Sequence, residues 1–377
     1  MTATVRLRRF LPLVLLALLA AGGIAAWALW PSPRTPQADS AHADDELEWL
    51  AAPKTARETA EDVYAADPSG VIFASAHGHT LRRVFLEPGD ASIAAAGASI
   101  AADDAPIAAA GAPLARMGPH EDVTAMATGD GTLCFASGRG GARERMTVRA
   151  GPEIRGPFKT VRADGPPVLA IACDRNDVFV VTADDPASGL LQKSHVERLP
   201  LGDPPGAAQT LGHSDGAITS LALDETRVYW ADSLDEKIVA VAKNGGSPVV
   251  LAEGRGLPKS ILAFRDALFW VEQRGESVWT MPKVGGSPRL VVQDFAGFAH
   301  LAAGPDGVFW INEAAVSGGF RVLRAPLAGG DATPVAPASP AVDGIDALMV
   351  VGTDVLWARD GHVARVSTAV AGTVPSR

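Results

Sequence analysis

Histidine side chains are the residues of this chain best suited to bind a metal or to exchange protons near neutral pH. The sequence contains eight of them, and His77 and His79 are only two positions apart. The spacings of H-E-x-x-H, C-x-x-C, a P-loop and an EF-hand loop do not occur, and the acidic segment 232–237 lacks the glycine and terminal glutamate of a calcium loop. These side chains can therefore act together only if the fold brings them together.

Composition describes the protein that must position them. The chain has 377 residues, 47% hydrophobic and 20% charged, which is enough to bury a large core. Its 39 glycines, 28 prolines and eight tryptophans favour tight turns and aromatic strands over long helices. The formal charge of −10 argues against a nucleic-acid partner, because phosphate binding needs a basic surface.

The N-terminus has the pattern of an export signal. Residues 1–9 form a positively charged n-region, residues 10–30 an uncharged apolar stretch, and residues 31–45 a Pro-rich extended linker. The length of the apolar stretch, with Trp27 and Trp30 at its end, favours a retained transmembrane anchor helix, whereas Ala41 and Ala43 offer a signal-peptidase site. In both cases the charge pattern predicts that the rest of the chain lies outside the cytoplasm of a bacterial cell. It would be anchored on the outer side of the cytoplasmic membrane or, after cleavage, periplasmic or secreted. A buried core helix is the remaining alternative.

An internal repeat organises the rest of the chain. A triplet of two apolar or aromatic residues and a third aromatic or aliphatic residue recurs at intervals of 40 to 62 residues, which is typical of four-stranded propeller blades. The seven copies begin at Val71, Leu133, Val178, Val228, Leu268, Val308 and Val355.

Each unit predicts four short strands. In the clearest unit these are 218–223, 228–230, 238–242 and 249–251, with Gly245 and Gly246 in the last turn. Paired glycines suit hairpin turns whose central positions need φ > 0. The fold class is therefore all-β, a propeller of six to seven four-stranded blades with seven favoured. It spans residues 46–372, with an Ala-rich insertion at 91–116 and a tail at 373–377. A β-sandwich with accidental similarity is the alternative.

The triplet, the double-glycine turn and the aliphatic flanks resemble the YWTD-type β-propeller repeats of the low-density lipoprotein receptor class, and related secreted bacterial propellers. Only the segment 228–232, VYWAD, comes close to the full signature, and the first three units are degenerate. The receptor propellers usually have six blades, so the resemblance leaves the count of six or seven open.

The ends of the repeat predict how the ring closes. The last unit ends soon after its third strand, while the segment 47–50 precedes the first unit much as an outer strand would. We expect this N-terminal segment to supply the missing outer strand of the last blade, which would leave no open sheet edge there.

Two cysteines, Cys134 and Cys173, fall in neighbouring units. Adjacent blades pack face to face, and an oxidising compartment permits a disulfide between them. The alternative is that both are small buried hydrophobic residues.

The repeat also predicts a ligand-binding face. The turns between second and third strands and the links between blades emerge at one end of a propeller, and seven of the eight histidines map to that end. His77 and His79 lie in a second-to-third turn, and His195 and His362 begin third strands in line with Lys237. His42 lies in the linker. The remaining three lie at or just before inner strands and should be nearest the channel: His120, His213 and His300.

Acidic and amide residues map to the same end: Glu121, Asp215, Asp232, Glu272, Asn312 and Asp360. The alternative explanation is that polar residues simply prefer loops. We interpret the chain as a monomeric, non-catalytic binding or scaffold domain for a protein, peptide or glycan, without a cofactor. The alternative function is a metal-dependent hydrolase or lyase with its site at the channel mouth.

Overall fold

A computed structural model describes most of the repeat region. It divides the chain into two compact units, Met1–His42 and Ala43–Arg377, and every described residue belongs to the second. The predicted n-region, apolar stretch, linker and tail lie outside the described residues. Within the part described, no helix is long and apolar enough to cross a membrane. The described ranges are 48–49, 63–67, 70–74, 80–85, 114–117, 121–139, 145–152, 156–184, 193–293, 300–314, 319–335, 347–359 and 362–368.

The described strands form seven antiparallel four-stranded sheets, which we number as blades 1 to 7 in chain order. Blade 1 contains β2 (Val63–Asp67), β3 (Gly70–Ala74), β4 (Thr80–Phe85) and β5 (Ala115–Arg116), and blade 2 contains β6 (Glu121–Gly129), β7 (Thr132–Arg139), β8 (Met146–Pro152) and β9 (Lys159–Gly165). Blade 3 contains β10 (Val168–Cys173), β11 (Asp177–Ala183), β12 (Ser194–Pro200) and β13 (Gln209–Ser214), and blade 4 contains β14 (Ile218–Leu223), β15 (Arg227–Asp232), β16 (Lys237–Ala242) and β17 (Val249–Ala252). Blade 5 contains β18 (Pro258–Phe264), β19 (Ala267–Glu272), β20 (Ser277–Pro282) and β21 (Arg289–Gln293). Blade 6 contains β22 (Leu301–Gly304), β23 (Gly307–Ala314), β24 (Gly319–Ala325) and β25 (Thr333–Pro334), and blade 7 contains β26 (Ala347–Val351), β27 (Asp354–Arg359), β28 (His362–Ser367) and β1 (Glu48–Trp49).

The sheets form a closed ring. Each first strand contacts the first strand of the next blade, and β26 of blade 7 contacts β2 of blade 1. These seven strands are therefore the innermost ones, and the fourth strands lie at the outside of their sheets. A ring of radial four-stranded sheets is the architecture of a β-propeller.

The repeated triplet lies on the second strand of every blade, and strand geometry explains its composition. Successive side chains point to opposite faces of a sheet. Trp230 packs with Phe179 of blade 3, whereas its neighbour Tyr229 packs with Trp270 of blade 5. Phe309 of blade 6 likewise packs with Trp357 of blade 7. The third triplet residue thus fills the gap to the preceding blade, and the second residue fills the gap to the following blade.

The double-glycine turns join third to fourth strands, and both glycines have positive φ, as at Gly245 (98°) and Gly246 (129°). The first glycine donates its amide to the residue three positions earlier, as Gly245 does to the Ala242 carbonyl at 2.9 Å. The glycines therefore follow the two central turn residues, which corrects the expectation that they occupy the central positions. The turn also packs on the preceding blade. In blade 6, for example, the Gly330 amide donates to the carbonyl of Val291 on β21 of blade 5.

Polar side-chain contacts join neighbouring blades at the end of the ring that carries the first-to-second and third-to-fourth turns. Asp174, after the first strand of blade 3, accepts a 2.6 Å hydrogen bond from Lys243 of blade 4. Its carboxylate also accepts the Asn176 and Asp177 amides, so it holds its own turn as well. Asp224 of blade 4 repeats this arrangement, with Lys283 of blade 5 at 4.0 Å.

The predicted closure by the N-terminal segment is confirmed. Strand β1 pairs antiparallel with β28, with Glu48 opposite Arg365 and Trp49 opposite Ala364. The predicted insertion at 91–116 ends inside the fold, because its last two residues form β5, the outer strand of blade 1.

Candidate functional site

The loop face of the ring is the end that carries the second-to-third turns and the links between blades. On blade 3 it holds His195 and His213, which are cross-strand neighbours on the two outer strands. The His195 Nε2 atom lies 3.2 Å from an oxygen of Asp184, and both side chains are partly exposed. Asp215 is exposed and lies 3.8 Å from the Lys193 ammonium.

The structure describes only some of the predicted histidines. His300 directly precedes the inner strand β22, as expected. His213 does not flank an inner strand, because β13 extends to Ser214 and places it on the outer strand of its blade. His362 begins the third strand β28. The predicted residues outside the described ranges are His42, His77, His79, His120 and Asp360.

Metal binding and nucleophilic chemistry find little support among the described residues. No three of their His, Cys, Asp and Glu side chains lie close enough together to hold a metal ion. The segment from Gly212 to Gly216 has G-x-S-x-G spacing, but it joins two strands and not a strand to a helix. Ser214 is buried, and its hydroxyl accepts the Gly216 amide at 2.9 Å. This serine therefore shapes the link between blades.

Asp232 ends the second strand of blade 4 and is buried. Burial raises the pKa of its carboxyl group, which outweighs the opposing effect of a hydrogen bond from Ser214. One carboxyl oxygen also accepts the Asp235 amide at 3.2 Å, so the carboxyl group closes the turn that follows β15. The Glu121 carboxylate on blade 2 likewise accepts a hydrogen bond, from the Ser137 hydroxyl at 2.7 Å. Asn312 is half-buried on β23.

Glu272 ends the second strand of blade 5, as Asp232 does on blade 4. It forms a largely buried ion pair with Arg255. The Arg255 guanidinium lies 4.3 Å from the centre of the Trp279 ring and 5.6 Å from that of Trp270. The Trp270 indole N–H donates to the same carboxylate at 3.1 Å. Arg255 lies in the link between blades 4 and 5, so this cluster fastens the link onto the second and third strands of blade 5.

Backbone hydrogen bonds join three connections of the loop face into one unit, which we call the platform. It consists of the turn 232–237, the link 253–258 and the turn 272–277. The Arg255 amide donates to the Glu236 carbonyl at 3.0 Å, and the Arg274 amide donates to the Gly256 carbonyl at 3.0 Å. The Ser233 hydroxyl donates to the Pro258 carbonyl at 2.7 Å. Each connection is thus held by its neighbour as well as by its own blade.

Several platform residues have backbone conformations that are uncommon for side chains other than glycine. Leu257 has φ of 59°, Glu236 of 56° and Glu276 of 42°. Ser260, which follows the platform link inside β18, has φ of 49° at a break in the pairing register. Such conformations are retained where surrounding contacts enforce them, and they concentrate at binding sites.

The exposed surface of the platform combines an apolar tip with an acidic rim. Leu234 is 39% exposed at the tip of its turn. Apart from the buried Asp232 and the Glu272–Arg255 pair, the three platform segments contain four carboxylate residues and two basic residues. Arg274 pairs with Glu236, and Lys237 lies 3.2 Å from Asp235, whereas Glu253 is exposed.

Sequence reasoning located Asp232 and Glu272 but missed Arg255 and Trp279. The signal that could have found Arg255 is its setting between Gly254 and Gly256, directly before an inner strand. The arginine of this link is close to Glu272, at the acidic end of the second strand on the next blade.

Comparison with known proteins places the fold but no family. No protein-family model matches the chain, and no curated protein matches it. A chain in the crystal structure of a mitotic checkpoint complex is 12% identical, with 90% of this chain and 99% of that chain covered and a TM-score of 0.55. The designed protein Ika8 is 17% identical, with 80% and 81% covered and a TM-score of 0.52. A chain of a nidogen/laminin complex is 17% identical, with 60% and 85% covered and a TM-score of 0.44.

The first two similarities agree with the closed ring of sheets. The fold is a β-propeller. At these identities the likeness extends to the fold alone.

Proposed function

We propose that this propeller is a non-catalytic binding domain whose platform recognises a protein or peptide partner. The observation that carries the proposal is the set of hydrogen bonds that joins three connections from two blades around the exposed Leu234. A surface fixed in this way loses little conformational entropy when a partner binds. The strained backbone at Leu257 and Glu236 is consistent with a conformation retained for binding.

The chemistry of the platform indicates the character of the partner. Leu234 offers an exposed apolar contact surrounded by charged residues. Protein interfaces commonly have such an apolar centre and a polar rim. Apart from the buried Asp232 and the Glu272–Arg255 pair, carboxylates outnumber basic residues four to two in the platform segments, so a basic segment of the partner would be complementary. Association should therefore weaken as salt is added, because exposed charges are screened over about 10 Å at 0.1 M ionic strength.

The proposed location is outside the cytoplasm, either on a retained membrane anchor or released after cleavage. This rests on the three arginines that precede the apolar stretch 10–30. Membership of the YWTD-type repeats is likewise a proposal, supported by the VYWAD segment and the double-glycine turns. Mass spectrometry of the N-terminus of the protein isolated from its native cells would distinguish anchor from cleavage.

The experiment for the binding proposal compares charge reversal at the two ends of the ring. The variant D235K/E253K alters the platform, and E225K/D331K alters exposed positions in turns of the opposite end. Each protein would be used to purify partners from native cell extract at low salt. We expect a partner that binds the wild type and the opposite-end variant but not the platform variant. Equal recovery by all three proteins would contradict the proposal.

A further inference from the structure

The only two cysteines of the chain meet across one boundary between blades. Cys134 lies on the second strand of blade 2, and Cys173 ends the first strand of blade 3. Their sulfur atoms lie 3.6 Å and 3.5 Å from the same acceptor, the Ala127 carbonyl oxygen. Both belong to one hydrophobic cluster that fills the gap between these blades. Residues 39 positions apart in the sequence are thus side by side in the fold.

The repeat shows what is unusual about this boundary. Cys134 is the second residue of its triplet, the position that faces the following blade. At the same position blades 3 to 6 carry an aromatic residue: Phe179, Tyr229, Phe269 and Phe309. Blade 2 places a small thiol there, opposite the other thiol of the chain.

The backbones of blades 2 and 3 are also unusually close here. A methyl group added at Gly129 would lie 2.0 Å from the Cys173 carbonyl oxygen, so only glycine fits at that position. Close approach of the backbones keeps the two cysteines within one narrow gap. Burial raises the pKa of the Cys134 thiol, and contact with the Cys173 thiol raises it further.

We infer that Cys134 and Cys173, which are free thiols in the structure, form a structural disulfide that joins blades 2 and 3 when the protein is oxidised. One thiolate attacks a disulfide-containing oxidant and releases a thiol, and the second cysteine then displaces the oxidant's remaining half. The two cysteine sulfurs lose two electrons, the oxidant is reduced to two thiols, and these thiols take up the two protons. Because both thiols are almost fully buried, the bond forms while the blades assemble. Such a bond is a fixed cross-link and not a surface redox switch.

The test is to refold the denatured, reduced protein with oxidised glutathione or with a reductant, and then to unfold it and alkylate it. We expect no alkylation of the oxidised sample, a mass about two units lower, and a single linked peptide containing both cysteines. The oxidised protein should melt several degrees higher than the reduced protein, because a closed loop of this length restricts the unfolded chain.

The variant C134A supplies the matched control. It should fold, retain one free thiol, and melt at the same temperature in both redox conditions. Two alkylated cysteines in folded, glutathione-treated wild type would overturn the inference. A disulfide that left the melting temperature unchanged or lower would overturn its stabilising role. None of these outcomes depends on the proposed binding function.

Discussion

At the residue scale, the most consequential side chain of the platform is Arg255. It neutralises Glu272, contacts two tryptophan rings and lies in a link whose backbone supports a neighbouring turn. Removing one partner of a buried ion pair leaves the other charge without compensation, which costs far more than loss of an exposed pair.

We therefore expect R255A to lower the free energy of unfolding by about 3 kcal/mol or more. Arg274 provides the matched control, because it pairs with Glu236 on the same platform but its side chain is 62% exposed. R274A should cost less than about 1 kcal/mol. Urea denaturation of both variants measures the difference, and equal losses would show that the buried pair does not stabilise the link.

The same residues show what sequence patterns could and could not reveal. The recurring triplet that includes Tyr229 and Trp230 predicted a second strand in each unit, and the structure has a strand at every copy. The partner of Glu272 was not predictable, since an ion pair depends on side-chain positions that neither spacing nor composition fixes. His213 was placed near an inner strand because the end of the outer strand cannot be read from a run as polar as Gln209–Ser214.

At the element scale, the ties between aspartates and lysines connect turns of successive blades. Burial alone would raise the pKa of Asp174, but hydrogen bonds from Lys243 and from two amides outweigh it and lower the pKa below its usual value. A carboxylate with a lowered pKa stabilises the folded protein above its unfolded pKa of about 3.9. That contribution is lost as the pH falls through the lower pKa of the folded state.

The variant D174N tests this tie, since asparagine retains an acceptor for the amides but has no charge for Lys243. We expect a loss of about 1 to 2 kcal/mol at neutral pH. The difference from wild type should shrink as the pH falls well below about 3.9. Urea denaturation over this pH range measures it, and a difference that is independent of pH would contradict the assigned role of the charge.

Strands were more predictable than their connections. The predicted strand 218–223 matches β14, and 249–251 lies within β17, because tight turns bound both runs. The double glycines were correctly assigned positive φ, but their place after the central turn residues follows from packing on the preceding blade. Breaks in register at the start of β14 and β18 likewise depend on the neighbouring strand.

At the scale of the whole molecule, closure depends on a strand from the far end of the chain. Strand β1 is the only described partner on the outer side of β28, so its loss would leave the last blade with three strands. The pairing of β1 with β28 links the N-terminal end of the propeller to its last blade, so loss of β1 removes one of the contacts that close the ring.

We expect deletion of residues 46–51 to lower the melting temperature of the propeller by several degrees. The matched control is a chain that begins at residue 46, which lacks the preceding linker but keeps β1. Differential scanning calorimetry of the two proteins measures the effect. Identical melting curves would show that β1 does not hold the ring closed.

The function of the platform is the central claim, and site-specific photo-crosslinking tests it most directly. A photoreactive amino acid would replace Leu234 at the platform tip or, as control, Glu225 in an exposed turn at the opposite end of the same blade. After irradiation of native cells, the protein labelled at position 234 should yield one discrete adduct with another protein. D235K/E253K should abolish that adduct, and labelling at position 225 should give none. An adduct formed only from position 225, or no adduct from either position, would contradict a protein-binding platform on this face.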